Sequence, residues 1–169
     1  MLYNILTIGR FNHALEIGSW DGYSAVAFIV AMNDNNLKKM DFCDPNFQPR
    51  FHEVLGYCTR IDDVILHRCG SSEISYSQYD CVFVDGNHKL HNVEIETRLI
   101  IDGGVETVLA HDTNIPGPIH LMNTLSNSGY YVLNDNKIRP NENTDRGLMF
   151  ATKNHELFSK IEELFACFS

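Results

Sequence analysis

Short apolar runs alternate with longer amphipathic stretches along most of the chain. The run at residues 81–84 is apolar throughout, as is typical of a parallel strand covered on both faces. Similar runs predict strands over residues 14–17, 40–43, 81–84, 107–110, 130–133 and 148–151, and a third strand that starts at residues 64–66 and ends near Gly70. Apolar positions at helical spacing predict helices over residues 23–32, 48–59, 92–101 and 119–127.

The order of these elements predicts a fold class. Strands that alternate with helices favour an α/β, Rossmann-like doubly wound sheet with right-handed crossovers. The last two strands have only a polar loop between them, residues 134–147, which predicts an antiparallel end to the sheet. One apolar helical face then closes the chain, formed by Leu157, Phe158, Ile161, Leu164, Phe165 and Phe168.

Composition narrows the class of protein. The chain has 169 residues, 44% of them hydrophobic, which predicts one domain over residues 1–169 with a substantial core. A net charge of −9 argues against a nucleic-acid surface. Five scattered cysteines fit a reducing compartment, and the longest apolar stretch, residues 25–32, is too short to span a bilayer. We therefore expect a cytoplasmic protein with no nucleic-acid or membrane partner.

The turn after the first predicted strand carries the strongest functional signal. The sequence there is Glu16-Ile-Gly18-Ser-Trp20-Asp-Gly22-Tyr-Ser24, which ends a strand and opens a helix. A dinucleotide turn needs the spacing G-x-G-x-x-G so that the backbone can approach a pyrophosphate. Trp20 and Tyr23 stand where its second and third glycines would be, so the turn suits a nucleoside with an ammonium group and no phosphates.

Together with two later segments, this turn carries a family resemblance. The segments are residues 79–88, which contain Asp85 and His88, and residues 108–117, which contain His111 and Asp112. The three resemble motifs of the class I S-adenosylmethionine (SAM) dependent methyltransferases, over residues 13–152. The resemblance is greatest to the small metal-dependent O-methyltransferases of the catechol, sugar and macrolide types. It implies SAM as the cofactor and seven strands in the order 3-2-1-4-5-7-6, with strand 7 antiparallel.

The first part of the predicted cofactor site holds the methionyl group. Glu16 would meet its ammonium, while Gly18 and Gly22 let the backbone approach and the helix N-terminus favours its carboxylate. Ser24 either reaches the ligand with its hydroxyl or makes a local backbone hydrogen bond. Trp20 either lines the pocket or packs in the core.

The second part of the predicted cofactor site holds the nucleoside. Asp44 follows the second strand, where an acid can accept both ribose hydroxyls, and Asp41 is its rival because the strand end is uncertain. By resemblance, Ser71 and Ser72 border the adenine, the alternative being a plain polar turn. Asp85 is expected to touch both the cofactor and the metal.

A cluster of acids and histidines is predicted at the ends of the fourth and fifth strands. Neighbouring strand ends lie about 5 Å apart, so Asp85 and Asp112 can share a hard cation such as Mg²⁺. The resemblance makes both of them metal ligands and puts His111 where the catechol enzymes have an aspartate. Because imidazole suits Mn²⁺ better than Mg²⁺, either the metal differs, or His111 orients the substrate, or no metal binds.

His88 matches the general-base position of the family. A neutral imidazole there would take the proton of the acceptor hydroxyl; the alternative is that His88 caps a helix or bonds Asp85. The other histidines that we weighed have no such partners and are interpreted as surface or packing residues: His52, His67, His91, His120 and His155.

Some positions depart from the family. Leu90 replaces a tyrosine, Asp102-Gly103-Gly104 replaces Pro-Gly-Gly, and the residues before the first strand are too few for the usual N-terminal helical cap. The acceptor site is then open, or closed by another subunit or by the 134–147 loop. Missing helices should also leave apolar surface near the carboxyl edge of the sheet, and because such a patch is usually an interface, we expect a homodimer.

The sequence therefore predicts a SAM-dependent O-methyltransferase, assisted by Mg²⁺ or Mn²⁺. Its acceptor would be a hydroxyl of a small sugar, polyol or catechol-like molecule. The alternatives are a metal-independent methyltransferase and a non-catalytic SAM-binding partner subunit.

Overall fold

A computed structural model describes residues 1–135 and 147–167. Most of the predicted 134–147 loop and Phe168 lie outside the described residues. All seven predicted strands are present: β1 (His13–Ile17), β2 (Lys39–Cys43), β3 (Val64–His67), β4 (Cys81–Val84), β5 (Thr107–His111), β6 (Tyr131–Asp135) and β7 (Leu148–Thr152).

Six α-helices accompany these strands within the described residues: α1 (Leu2–Gly9), α2 (Ala25–Asn33), α3 (Pro49–Leu55), α4 (Leu90–Asp102), α5 (Pro116–Asn127) and α6 (His155–Cys167). Short 3₁₀ turns occupy Ile61–Asp63 and Ser71–Glu73. The third helix is shorter than predicted because the chain turns at Gly56, and α5 begins earlier because Pro116 suits a first helical turn. No helix in the two described ranges is both long and apolar enough to cross a membrane.

The strand order confirms the predicted topology. The sheet runs β3-β2-β1-β4-β5-β7-β6, and β7 is antiparallel to both β5 and β6. The five other strands pair in parallel, so their carboxyl ends share one edge. That edge carries Ile17, Cys43, Val84 and His111 at the ends of their strands, and the loops that follow them form the functional site.

The sheet separates two apolar layers. One is rich in aromatic rings, where Phe28 of α2 packs between Phe42 of β2 and Phe83 of β4. The other is mainly aliphatic, with three buried tyrosines, and is covered by α4 and α5 through side chains such as Ile100 and Leu121. Because both faces of β4 are buried, its four residues are all apolar, as the sequence pattern indicated.

Two expectations about helices need correction. Helix α2, whose predicted range 23–32 is apolar almost throughout and therefore favours burial nearly all round, leaves Val26 and Val30 about half exposed. The stretch before β1, where we expected no helix, forms α1, which buries Ile5 and Leu6 against α2 and α6. At eight residues, α1 has too few turns for a distinctive apolar period, and its packing partners lie far away in sequence.

Candidate functional site

Gly18 brings the loops after β1 and β4 into backbone contact. It has φ +87°, and a Cβ on it would lie 2.4 Å from the Cα of Gly86. Its N–H donates to the Cys43 carbonyl at 2.8 Å, which ties the turn to the end of β2. No larger side chain fits here, so the turn requires glycine. Gly22 packs instead against Phe51 of α3 and lines neither cavity described below, so it supports the turn from behind.

Glu16 is a fully buried carboxyl beside this turn. Its Oε1 accepts the Ser24 hydroxyl, and its Oε2 makes no hydrogen bond to any described residue. Burial raises the pKa of Glu16 to about 8, against the hydroxyls of Ser24 and Ser19, which lower it; the charges of Asp85 and Asp44 raise it further. The Ser24 hydroxyl bonds the Glu16 side chain rather than local backbone, and its predicted contact with the ligand stays a prediction.

One cavity of about 500 Å³ lies across the carboxyl ends of β1, β2 and β4, between the loop after β3 and α4. It brings together six of the residues predicted to hold the cofactor: Gly18, Trp20, Asp44, Ser71, Ser72 and Asp85. We call it the nucleoside cavity, after the ligand that the sequence analysis predicts there. Pro45 and Ile95 add apolar surface to its walls.

The structure separates Asp44 from its rival Asp41. Asp44 lines the nucleoside cavity, and its two oxygens accept the backbone N–H groups of Trp20 and Asn46 at 2.8 and 2.7 Å. A carboxylate has further lone pairs, so these bonds leave room for a ligand. Asp41 is 1% exposed, lies within β2 and does not line the cavity, which removes it as a ligand residue there.

Asp41 anchors a buried polar network, which corrects our interpretation of His67. Its carboxylate accepts hydrogen bonds from His13 Nε2, His67 Nε2 and the Tyr79 hydroxyl at 2.7–2.8 Å. Burial raises the pKa of Asp41, but these three bonds outweigh it and hold the pKa below its usual value. His67 is therefore one arm of a network that joins β1, β2 and β3, not an isolated packing residue.

Glu96 is a site residue that the sequence analysis missed. It lies on the buried face of α4 and lines the nucleoside cavity at 3% exposure. Its Oε1 accepts the Ser71 hydroxyl at 2.6 Å, and its Oε2 is buried with no hydrogen-bond partner in the described part of the chain. The available signal was an acid on the helical face otherwise formed by Val93, Thr97 and Ile100.

A second cavity, of about 770 Å³, adjoins the first, and Gly18, Trp20 and Asp85 line both. We call it the acceptor cavity, after the substrate that the sequence analysis predicts there. Ser24 contributes to its wall, and Leu2 of α1 and Leu148 of β7 are among its apolar members. Trp20 and Tyr23 also line it and are 61% and 66% exposed, so the cavity has an aromatic rim.

The predicted acid and histidine cluster lies in the acceptor cavity. His111 Nδ1 is 3.3 Å from an Asp85 oxygen and 3.4 Å from an Asp112 oxygen. His88 Nε2 is 3.3 Å from the other Asp112 oxygen and 3.7 Å from Asp85. Of these residues, Asp85, His111 and Asp112 offer ligand atoms within 4.8 Å of one another, a spacing at which they can hold a metal ion.

Charge balance within this cluster sets its pKa values. Burial raises the pKa of Asp85, but the neighbouring His111 and His88 outweigh it, so its carboxyl ionises more readily than usual. Pairing with Asp85 raises the pKa of His88, against burial, which lowers it. Without a cation, the two histidines therefore act as partners for the two carboxylates.

The backbone around the cluster is tightly constrained. Asp112 has φ +53°, a left-handed conformation that non-glycine residues rarely adopt. A Cβ on Gly117 would lie 2.3 Å from the His88 carbonyl oxygen, so α5 approaches the His88 backbone closely only because residue 117 is glycine. The ends of β4 and β5 are thus held together by α5 as well as by the sheet.

Comparisons with known proteins agree with this geometry. A family model described as "Methyltransferase domain" matches residues 15–113, from β1 to just beyond Asp112. No curated protein matches the chain.

Solved structures show the same fold at low identity. An O-methyltransferase from Bacillus cereus, solved in complex with SAH, is 14% identical with a TM-score of 0.68, covering 90% of this chain and 79% of that one. TomG of Streptomyces achromogenes, an O-methyltransferase of tomaymycin synthesis solved with SAM, is 16% identical with a TM-score of 0.67 and coverages of 89% and 77%. An rRNA methylase from Streptococcus thermophilus is 12% identical, with a TM-score of 0.63 and coverages of 89% and 93%.

Two of these neighbours are O-methyltransferases and the third is an rRNA methylase, so the fold by itself does not name the acceptor. The family match spans most of the sheet, the turn at Gly18 and the strand ends that carry Asp85 and Asp112. This chain belongs to the methyltransferase domain family that the model describes.

Proposed function

We propose that this chain is a SAM-dependent O-methyltransferase, assisted by a divalent cation, that methylates a hydroxyl of a small molecule. The observation that carries the proposal is the junction of the two cavities at Gly18, Trp20 and Asp85. One cavity has the shape and polar groups of a nucleoside site, and the other holds the acids and histidines. A methyl donor in the first would thus face an acceptor in the second.

The residues present fit SAM. The buried Glu16 Oε2 has no partner in the described ranges, and an ammonium group would satisfy it. Asp44 lines the cavity with acceptor capacity left for a ribose diol. The close contact between Gly18 and Gly86 leaves bare backbone beside the ligand's methionyl end. When bound, SAM supplies the methyl group from its sulfonium centre.

The residues also fit a divalent cation, with a donor set of two carboxylates and one imidazole from Asp85, Asp112 and His111. This mixed set suits Mn²⁺ better than Mg²⁺ because imidazole is a softer ligand than carboxylate. The bound cation would lower the pKa of an acceptor hydroxyl beside it.

His88 would receive the proton of that hydroxyl. It lines the acceptor cavity and lies against both carboxylates. Its raised pKa favours imidazolium while Asp85 and Asp112 are its partners, which opposes a base role. A cation bound to those carboxylates would take their charge away from His88 and so favour its neutral form. Positioning the acceptor oxygen in line with the methyl group would supply much of the rate enhancement.

One observation favours the metal-independent alternative. His88 and His111 already lie within 3.7 Å of the two carboxylates, so the histidines can balance the carboxylate charge without a cation. Chelator separates the two proposals, because it abolishes turnover only if the cation takes part. In either case, His88→Ala should lower turnover by about 10²–10⁴-fold with SAM affinity retained.

Titration calorimetry with SAH tests the core of the proposal. The wild type should bind SAH, and Glu16→Ala should abolish binding while the variant remains folded by circular dichroism. Folded wild-type protein that binds no SAH would overturn the proposal. The proposed partners are a small hydroxyl-bearing acceptor and a second copy of the chain; light scattering tests whether a homodimer forms.

A further inference from the structure

Glu96 presents an unsatisfied hydrogen-bond acceptor to the nucleoside cavity. Glu96 is only 3% exposed. Its Oε1 accepts the Ser71 hydroxyl, and its Oε2 has no hydrogen-bond partner among the described residues. Taking a carboxyl oxygen out of water without giving it a hydrogen bond is unfavourable. A ligand that brings a donor to this oxygen would complete the arrangement.

The strand order determines which part of a ligand reaches Glu96. The acid and histidine cluster follows β4 and β5, Asp44 follows β2, and Ser71 follows β3 at the edge of the sheet. A nucleoside whose reacting end lies at β4 and β5 and whose diol lies at Asp44 directs its base toward β3. There Glu96 contacts Ser71, and Pro45 and Ile95 provide apolar surface for a flat ring.

We propose that Glu96 selects adenine over other purines by accepting a hydrogen from the exocyclic amino group of the base at Oε2. This inference rests on the proposed function, because it needs a nucleoside in the cavity. Ser71 is a positioning residue: its hydroxyl holds Oε1 and thereby fixes the direction of Oε2. Hypoxanthine carries a carbonyl oxygen where adenine carries its amino group, so two acceptors would face each other.

We expect a large difference in affinity between adenine and hypoxanthine nucleosides, because the two facing acceptor oxygens would be buried away from water. Sites built to hydrogen-bond one group reject analogues that leave their buried polar atoms unpaired. Burial also raises the pKa of Glu96, against the bond from Ser71 and the charge of His88, so the measurement belongs in mildly alkaline buffer, which favours the ionised carboxyl. Under these conditions Oε2 can only accept.

The experiment compares SAH with its deaminated analogue, S-inosyl-L-homocysteine, by titration calorimetry. The wild type should prefer SAH by at least about tenfold, the loss expected for one unsatisfied buried group. In Glu96→Gln the Ser71 hydroxyl can still donate to the amide oxygen. The amide nitrogen then points toward the base and can donate to the carbonyl of hypoxanthine. The preference should then fall below about threefold or invert. Glu96→Ala removes the acceptor altogether and should also reduce the preference.

The exposed Glu94 on the same helix gives a matched control, since Glu94→Gln removes the same charge outside the cavity. The Glu94→Gln variant should prefer SAH over S-inosyl-L-homocysteine by the same factor as the wild type. A preference that stays at the wild-type value in both Glu96 variants overturns the inference and leaves the proposed function intact, as does a wild type that binds both ligands equally. A wild type that binds neither ligand overturns both.

Discussion

The hydroxyl of Ser24, at the start of α2, donates to Oε1 of Glu16, and Oε2 of the same buried carboxyl is left without a partner. The two residues are eight positions apart, and the turn around Gly18 brings them together. The bond orients a carboxyl whose pKa burial raises to about 8, so the ligand-free protein holds a proton there at neutral pH. Two predictions depend on this proton.

The first prediction concerns the stability of the ligand-free protein. The pKa of Glu16 is near 4.5 in the unfolded protein and about 8 in the folded protein. Its contribution to the free energy of unfolding is therefore fully present below pH 4.5 and is lost as the pH rises through 8. Between these values the free energy of unfolding should fall by at most about 1.4 kcal/mol per pH unit. Glu16→Gln should remove this slope.

Denaturant unfolding of wild type and Glu16→Gln across this range measures the difference between their slopes. The exposed Glu53 provides the control, because Glu53→Gln should keep the wild-type slope. Parallel pH profiles for wild type and Glu16→Gln would show that Glu16 does not hold the proton.

The second prediction concerns ligand binding. If the ammonium of SAH pairs with the Glu16 carboxylate, the proton must leave on binding whenever the pH is below about 8. Affinity should therefore rise with pH toward 8, by at most about tenfold per unit. Calorimetry in two buffers of different ionisation enthalpy measures the protons released. A binding event with no proton release below pH 8, or one unchanged in Glu16→Gln, contradicts the pairing.

The third prediction contrasts the effects of substituting Asp44, just after β2, and Asp41, within β2, on ligand binding and stability. Asp44→Ala should weaken SAH binding at least about tenfold, because it removes a cavity acceptor and the anchor of the Trp20 backbone. Asp41→Ala should instead destabilise the fold by about 3 kcal/mol, because it leaves His13, His67 and Tyr79 without their shared hydrogen-bond acceptor. Thermal unfolding and calorimetry on both variants check this. Equal effects of the two substitutions on SAH affinity would argue against the distinction.

The sequence pattern was sufficient to predict the strands and the positions of most candidate site residues because those features are local, whereas the strand order came from the family resemblance. The run of apolar residues at β4 and the glycine turn after β1 each follow from neighbouring residues. Glu96 and the Asp41 network were missed because their roles depend on partners 25 to 38 positions away. Periodicity shows that such a polar residue lies on a buried face, but not which side chain satisfies it.

The fourth prediction tests the cation site through one ligand. Asp112→Ala should abolish Mn²⁺ binding while leaving SAH affinity within about threefold, because Asp112 lines only the acceptor cavity. Calorimetry with MnCl₂ measures it, and the exposed Asp62 is a matched control in Asp62→Ala. Mn²⁺ binding that survives in Asp112→Ala would place the cation elsewhere. Wild-type protein that binds no Mn²⁺ would favour the metal-independent alternative.

The fifth prediction turns on His111, the one imidazole in the donor set of the metal site. His111 Nδ1 lies 3.3–3.4 Å from Asp85 and Asp112, so a substituted carboxylate would complete a set of three oxygen ligands. Hard oxygen ligands favour Mg²⁺, whereas imidazole favours Mn²⁺. His111→Asp should therefore raise affinity for Mg²⁺ relative to Mn²⁺ by at least about tenfold.

The same substitution separates a ligand role for His111 from a role in charge balance. His111→Asn removes the imidazole but adds no negative charge, so it should weaken Mn²⁺ binding without improving Mg²⁺ binding. In the ligand-free protein, His111→Asp also puts a third carboxylate beside Asp85 and Asp112, so added cation should stabilise this variant more than the wild type in thermal unfolding. If both variants keep the wild-type ratio of Mg²⁺ to Mn²⁺ affinity, His111 is not a ligand, and the imidazole serves only as the partner of the two carboxylates.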